Sequence, residues 1–591
     1  MIHNLRKQIK DDSNFKYALQ IGSCLYWLIF LKKTYAFFTV YVLLSAMAMM
    51  FASRERFSMQ RLSDMLGRRE QKILKMLSAF FSALIVVGNY DVFSYIGGSL
   101  VPLHIILMLL SGYVLFKELF AGLYWLYTGF SYRENSNRTR RGKWCWFLFA
   151  FGAVALVDLL YWYLVAYPGN LTYDSIVQLK QIISGDYTNH HPYYHTLIIK
   201  LCYDLGMAVF HDINKAVAVY SVFQILVSAL VFAYAVVTLY EKGRSKKVLL
   251  VVVGAYALLP YHWLQSCMMW KDILFAVMVL LFVTCLYRLF CVATGLADYL
   301  LLFVSTLGFA LLRSNGLIAL LITSVVLGAY LMLAKTMPQR KKAGIGISVG
   351  VALVLAIILK GPVLNYLEVK PVDSIESLSI PLQQVARVVH DCELTESERA
   401  VLSEVVDIEV LNEKFDTRIS DNAKNTFRAG GLNEALAVDK GKYIKFWITL
   451  GLSHPMEYVK AWVDQTAGYW NGGYHYYKIA QNRISENDIG IVRTVRVPIL
   501  DKAVNWLIDL VSYNSYYLTI IECHGVCAWI CIIILVFSVM SKRTGAMGAV
   551  PLLAIWLTLL IATPVFNELR YAYAFYCAIP IVIDWGLSKN E

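Results

Sequence analysis

The chain has 591 residues, of which 58% are hydrophobic, 14% aromatic and only 16% charged, with a formal net charge of +13. Soluble domains carry about a quarter charged residues, so a soluble globular class is excluded. The basic excess does not imply nucleic acid, because lysines and arginines fall in short blocks between apolar runs, the pattern that positive-inside bias produces.

Those apolar runs are roughly 17–25 residues long, each enough to cross about 30 Å of hydrocarbon. In chain order they predict spans near 17–31, 35–52, 74–91, 97–130, 145–166, 214–240, 248–266, 271–293, 298–312, 316–334, 344–366, 519–540, 546–564 and 571–587. The expected class is an all-α polytopic membrane protein with about fourteen transmembrane helices. The first run reads as a span and not as a cleaved signal, since more spans follow and no small-residue site ends it. Lys32 and Lys33 split the first two runs, so a re-entrant hairpin is an alternative there. The fourth run is long enough for a span plus an interfacial helix.

Basic blocks at Arg54 to Lys75, Arg133 to Lys143, Lys242 to Lys247, Lys335 to Lys342 and Lys542-Arg543 are assigned to the cytoplasm. The parity of the spans then agrees with all of them and places both termini in the cytoplasm. It also places five polar clusters on the opposite, outer face. These are the loop Tyr167 to Lys200, QSCMMWKDI around Lys271 and Asp272, LLRSNG around Arg313 and Asn315, the segment 367–518, and FNELRYAY around Glu568 and Arg570. Charges at the hydrocarbon boundary are costly unless paired or functional.

The first outer loop, spanning 167–213, carries Asp174 with His190, His191 and His195. Pro168-Gly169 ends the preceding span, and Asn170-Leu171-Thr172 reads as a turn and helix N-cap. His191 and His195 are four apart, but Pro192 intervenes and no third ligand stands in a fixed motif, so hydrogen bonding to sugar or phosphate, or a plain structural turn, is preferred over metal binding. In 367–440 a small, mainly helical cap is expected. SIPLQQVARVVHD has Leu382, Val385, Ala386 and Val389 at helical spacing, and TESER at Thr395 reads as a capping box. Residues 443–477 are rich in tryptophan and tyrosine and are expected to lie along the membrane surface. Cysteines fall mostly in apolar runs without a CxxC pair, and Cys392 stands alone in the polar segment, so disulfide and zinc frameworks are not expected.

No Gly-rich phosphate loop, dinucleotide fingerprint or GxSxG elbow is present. Nucleotide sugars stay in the cytoplasm, so an outward-facing transferase needs a donor already carried across the bilayer, such as a polyprenyl-phosphate sugar. Asp174 is the first candidate for the chemistry of such a site. Lys271, Arg313, Arg387 and Arg570 are candidates for the donor phosphate, because a guanidinium can hold two phosphate oxygens at once. His190, His191, Asp272, Asn315, Gln384, Glu568 and Tyr571 are candidate substrate contacts.

The loop YPGNLTYDSIVQL…HHPYYHTL, with WKD, LRSNG, IPLQQVAR and NELRYAY, resembles the GT-C superfamily over residues 145–587. These integral-membrane glycosyltransferases include protein O-mannosyltransferases and the lipid A aminoarabinose transferase. The likeness is to an uncharacterised bacterial branch. It implies a membrane core at 145–366, an outer cap with interfacial helices at 367–518, closing spans at 519–591, and added spans at 1–144. It further implies a multi-pass protein of the bacterial plasma membrane, with its site on the extracytoplasmic face. The partners would be a polyprenyl-phosphate sugar, an envelope glycan, lipid or protein acceptor, and membrane lipids, with no nucleic acid. An acidic residue early in the first outer loop acts as base or metal ligand in the superfamily, and Asp174 takes that position. Because Ser175 and Ile176 follow it with no second carboxylate, a base is favoured over a metal ligand, and no cofactor is expected. The rival readings are an envelope polysaccharide polymerase or ligase, and a lipid flippase or transporter. The last would carry charges near the bilayer midplane.

Overall fold

The computed structural model describes residues 66–90, 101–130, 138–292, 295–471, 481–513 and 523–589. The runs expected near 17–31 and 35–52 lie outside these residues. From 74–91 onward, each expected span coincides with an apolar helix. Regular structure among the described residues is helical, and β pairing is limited to isolated bridges.

The chain forms two compact units. The described part of the first holds α1 (Arg68–Gly88) and α2 (Val101–Gly129). α2 runs unbroken for 29 residues, so the fourth apolar run is one helix and not a span plus a separate interfacial one. The two helices meet where the Phe81 ring packs at an angle against Phe116 and edge-on against Phe120, at centroid distances of 5.8 and 5.1 Å. At the end of α1, a Cβ on Gly88 would come within 2.3 Å of the Asn471 amide, which would have to shift.

The second unit holds the remaining described helices. These are α3 (Arg140–Leu164), α4 (Tyr173–Ser184), α5 (Tyr193–Phe210), α6 (Ile213–Glu241), α7 (Lys246–Leu258), α8 (Pro260–Ser266), α9 (Lys271–Cys291), α10 (Leu296–Leu311), α11 (Gly316–Leu333) and α12 (Gln339–Ile358). α12 continues through a π-helical turn at Leu359–Val363 to Tyr366. Then come the cap helices α13 (Ser379–Asp391), α14 (Glu396–Ser403), α15 (Ile408–Glu413), α16 (Asp421–Ala429), α17 (Leu432–Ser453) and α18 (Pro455–Thr466). The series ends with α19 (Pro498–Tyr513), α20 (His524–Met540), whose first residues belong to the other unit, α21 (Ala546–Ala562) and α22 (Leu569–Leu587).

Among the described residues seven helices are long and apolar enough to cross a membrane: α1, α2, α3, α6, α9, α11 and the continuous Gln339–Tyr366. The pair α7–α8, bent by 49° where Pro260 starts the second piece, adds an eighth if its two pieces form one span. The molecule is thus a multi-pass, all-α membrane protein. α9 is the central helix, buried along almost its whole length.

Opposite charges tie the helix ends that carry the basic blocks. Arg288 in the last turn of α9 pairs with Asp298 in the first turn of α10 at 2.6 Å, and with Glu241 at the end of α6. Lys143 reaches Glu241 at 2.8 Å, and Arg244 reaches Asp584 near the end of α22 at 2.7 Å. These pairs gather one set of helix ends. The polar clusters that the sequence assigns to the outer face occupy the other ends of α9, α10 and α22.

The cap has its own core, in which Leu382, Val385, Ala386 and Val389 of α13 pack with Leu402, Val405, Phe427 and Leu432. Thr395 starts α14 through a reciprocal capping box with Glu398, as TESER predicts. Cys392 is not isolated in space, since its sulfur approaches His454 and Glu457, with ligand atoms within 4.8 Å of one another. Lys460, 3.5 Å from Glu457, already supplies positive charge at that spot.

Candidate functional site

Asp174 stands in the first turn of α4, where the helix dipole favours a carboxylate. The turn before it is held from two sides. Asn170 N–H donates to Cys267 O at 2.9 Å and Met269 N–H donates back to Asn170 O at 3.0 Å. Leu171 N–H donates to Arg483 O at 3.1 Å, and Ser485 N–H donates to Leu171 O at 2.7 Å. Thr172 is the N-cap, as expected, and its hydroxyl accepts from the Trp270 indole at 2.7 Å. This last bond joins the Asp174 loop to the start of α9.

A buried polar chain holds the same two segments together. The Gln178 amide donates to His195 Nδ1 at 3.0 Å and to Thr196 Oγ1 at 2.8 Å. His195 Nε2 then donates to the Tyr220 hydroxyl at 2.8 Å, which donates to Gln224 Oε1 at 2.9 Å. The Gln224 amide ends the chain on Ser266 O and Met268 O, each at 2.8 Å. His195 accepts at Nδ1 and donates at Nε2, which requires a neutral ring. Burial accordingly pushes its pKa down to about 3.

The ionic groups converge where these elements meet. Arg570 Nη1 donates to Asp174 Oδ2 at 2.8 Å, and Lys271 Nζ lies 4.0 Å from the same oxygen. Lys271 also donates to His191 Nδ1 at 3.1 Å. Arg313 Nη1 stands 3.0 Å from Asp272 Oδ1, and Glu568 Oε1 stands 3.6 Å from Arg570 Nε. The Tyr571 ring lies between the two guanidiniums, 4.9 Å from Arg313 and 5.0 Å from Arg570. Trp270 offers Arg570 a second face at 4.9 Å, and Phe275 offers one to Arg313 at 5.6 Å. Such flanking rings fix a planar cation while leaving its edge N–H groups available.

Two further devices aim the arginines. Lys360, in the π-helical turn, donates to the carbonyls of Ala310, Arg313 and Ser314, closing the C-terminal end of α10 around Arg313. The cap grips the loop before α22. Trp462 donates to Leu560 O at 2.9 Å, Gln465 to Thr563 O at 2.7 Å, and the Tyr469 hydroxyl accepts from Glu568 N–H at 3.0 Å. Ser420 N–H and Phe566 N–H exchange bonds with Pro564 O and Arg418 O across the same seam.

Electrostatics separate the titratable groups. Burial acts to raise the Asp174 pKa, but the charges of Arg570 and Lys271 outweigh it and hold the carboxyl well below the usual range. Glu568 is shifted the other way, chiefly by burial and then by Asp272 and Asp174, against the pull of Arg570. Burial first and Lys271 second push His191 down to about 2, so its ring is neutral and accepts from the lysine. Asp272 is fully buried beside Arg313. Neither of its oxygens, nor Arg313 Nη1, Arg570 Nε or Asn315 Oδ1, has an aligned hydrogen-bond partner among the described residues.

The structure therefore brings Asp174, His191, Lys271, Asp272, Arg313, Glu568, Arg570 and Tyr571 into one cluster. His190 joins its edge, its ring against that of His191 at 4.7 Å. Asn315 follows the Arg313 turn and donates to Thr558 at 2.7 Å. Arg387 and Gln384 are engaged elsewhere. Arg387 pairs with Asp391 at 2.5 Å and also with Asp464, while Gln384 accepts from Trp447 at 3.1 Å and donates to Tyr458 O at 3.3 Å. Both hold the cap together. Sequence reasoning missed Trp270, Gln178, Tyr220 and Gln224, and it gave Lys360 no role in the site.

The fold and this cluster define a class: a multi-pass helical membrane protein with a dense ionic and aromatic site at one set of helix ends. The chain belongs to the family of unknown function DUF6020, whose model matches residues 183–591 and so includes every residue of the ionic cluster except Asp174. No curated protein and no solved structure matches it.

Proposed function

We propose that this protein is a membrane glycosyltransferase of GT-C type. It moves a sugar from a polyprenyl-phosphate donor to an envelope acceptor on the extracytoplasmic face of a bacterial plasma membrane. The observation that carries the reading is the convergence of Asp174, Lys271, Arg313 and Arg570, from four distant segments, at the ends of apolar helices. A lipid phosphate presented at the membrane surface needs such cations there, and Arg313 Nη1 and Arg570 Nε, which have no aligned partner among the described residues, suit phosphate oxygens. A site of this kind at helix ends also fits surface chemistry better than passage through the bilayer, which would place charges at mid-span. Each carboxylate of the cluster already faces a cation, which favours an anionic ligand over a metal ion.

In the reaction, the acceptor oxygen bonds to the anomeric carbon and the bond from that carbon to the phosphate oxygen breaks. The electron pair leaves with the lipid phosphate, and the acceptor proton passes to the Asp174 carboxylate. Arg570, Arg313 and Lys271 offset the charge that grows on the leaving phosphate. Paired with Arg570 and Lys271, Asp174 is a weak base. A donor phosphate that draws those cations away raises the proton affinity of Asp174, so base strength develops only when donor is bound. Glu568 and Tyr571 orient Arg570, and His191 orients Lys271.

The test is transfer from a synthetic prenyl-phosphate sugar in reconstituted vesicles, paired with mass spectrometry of envelope glycans from a deletion strain. Asp174→Asn should abolish transfer, and the deletion strain should lack one glycan residue. Full transfer by the variant removes the base. An unaltered glycan profile removes the transferase.

A further inference from the structure

The cap encloses a cavity of about 630 Å³, within the range that small-molecule and cofactor sites occupy. Its floor is made by buried Val385, Leu402, Val405, Phe427 and Leu432, residues of the cap's hydrophobic core. Of the polar lining, Ser374, Ser377 and Lys440 are exposed, Asn433 accepts from the Ser374 hydroxyl at 2.7 Å, and the Tyr443 hydroxyl and Trp447 indole are bonded to Glu404 and Gln384. The cavity is therefore amphiphilic, with a deep apolar part and a polar mouth. Lys440 has no ion pair or hydrogen bond to its side chain among the described residues, so a free cation stands at that mouth.

Two continuities say what enters. Helix α17 is broken at Asp439 (φ −144°, ψ 82°), whose carboxylate caps the second segment by accepting from Lys442 N–H at 2.9 Å. That second segment presents Ile444, Ile448 and Leu452, four residues apart, all more than 45% exposed. Ile444 also lines the cavity, and Met456 and Val459 prolong the apolar surface onto α18. An exposed apolar ridge on a helix of a membrane protein is a surface for the bilayer, so the cavity borders a surface from which lipid can be drawn. The second continuity runs to the ionic cluster. Ser374 and Ser377 lie on the 3-10 turn Ser374–Leu378, shortly after Lys370, whose carbonyl accepts from Asn189 N–H at 2.8 Å, next to His190. From there the contacts pass to His191 at 4.7 Å, to Lys271 at 3.1 Å and to Asp174 at 4.0 Å.

We propose that the cap cavity binds the acyl chain of an anionic membrane lipid, with Lys440 facing its head group, and that this lipid is the acceptor of the transferred sugar. The acceptor role rests on the function proposed above. A donor whose phosphate sits among Lys271, Arg313 and Arg570 must run its chain between the helices those residues begin or end. A cavity in the cap, away from those helices, then serves the other substrate.

The test uses the full chain in nanodiscs with a phosphatidylglycerol that carries a diazirine on one acyl chain, the crosslinked peptides being mapped by mass spectrometry. Labelling is expected in 378–385 and 432–447, and excess unlabelled phosphatidylglycerol should compete it away. Leu436→Trp, which fills the cavity, should remove the label. Lys440→Gln leaves the apolar walls intact and should weaken capture about fivefold, the scale of one lysine against an anionic lipid. Labelling confined to the spanning helices and unmoved by either variant overturns the cavity site. Equal labelling by a phosphatidylcholine probe, with no effect of Lys440→Gln, overturns the anionic head group. Preferential labelling by a diazirine prenyl phosphate overturns the acceptor role. Asp174→Asn separates the two proposals, because it should lose transfer while keeping the full label.

Discussion

At the scale of single residues, the site is a set of carboxylates and cations whose pairings set what each can do. Asp174 stays ionised and Arg570 is its closest partner. Arg570→Lys keeps the charge but loses the planar edge, and kcat/KM for the donor should fall about ten- to a hundredfold, the scale of one charge-assisted hydrogen bond. Donor titration in vesicles measures this, and an unchanged value would take Arg570 out of the phosphate site. The histidines make a pH prediction. His191 and His195 have pKa values pushed to about 2 and 3, whereas an unfolded histidine titrates near 6.5. Their contribution to stability is full above about pH 6.5 and is lost as the pH falls, because the unfolded chain takes up protons that the folded one refuses. Glu568 works in the opposite sense, its raised pKa favouring the fold at low pH and losing that contribution as pH rises. The melting temperature should drop between pH 7 and pH 5, and drop less in His191→Gln; an equal drop in the variant would show that His191 does not couple to folding. Asp174, Lys271, Arg313 and Arg570 were legible because charges at span ends are rare. Arg387 and Gln384 were chosen from helical spacing, which defines a face but not what that face meets.

Single elements were readable wherever the signal is local. The Thr172 and Thr395 caps and the α13 core face follow from residues within four positions of one another. Thr395→Ala should cost about 1 kcal/mol of cap stability, seen as faster amide exchange in α14. The chain from Gln178 to Gln224 was not readable, since its bonds join residues up to 44 apart and a glutamine inside an apolar helix carries no sign of its partner. Gln224→Leu leaves the Ser266 and Met268 carbonyls and the Tyr220 hydroxyl without their partner in a buried place. It should cost about 1–3 kcal/mol in denaturant unfolding of the detergent-solubilised protein. A variant of wild-type stability would mean that the chain does not hold the Asp174 turn.

For the whole molecule, the surface of α17 and α18 decides how the cap meets the bilayer. A cysteine at Leu452 should react slowly with a charged maleimide in nanodiscs and quickly in Lys440→Cys, with peptide mapping to separate the sites. Equal rates would show that the apolar ridge faces water. Composition and the spacing of apolar runs were enough to determine an all-α, multi-pass protein, because crossing hydrocarbon demands long apolar helices whatever the fold. Charge blocks at alternate run ends then determined which polar clusters share a face. Only the tertiary structure decided which members of that face touch. Asp174 meets Arg570 across 396 positions of chain, and such a contact depends on how α4, α9 and α22 pack. The cap seam at 563–568 and the Lys360 closure of α10 complete the choice, since both orient an arginine through backbone carbonyls that no side-chain pattern encodes.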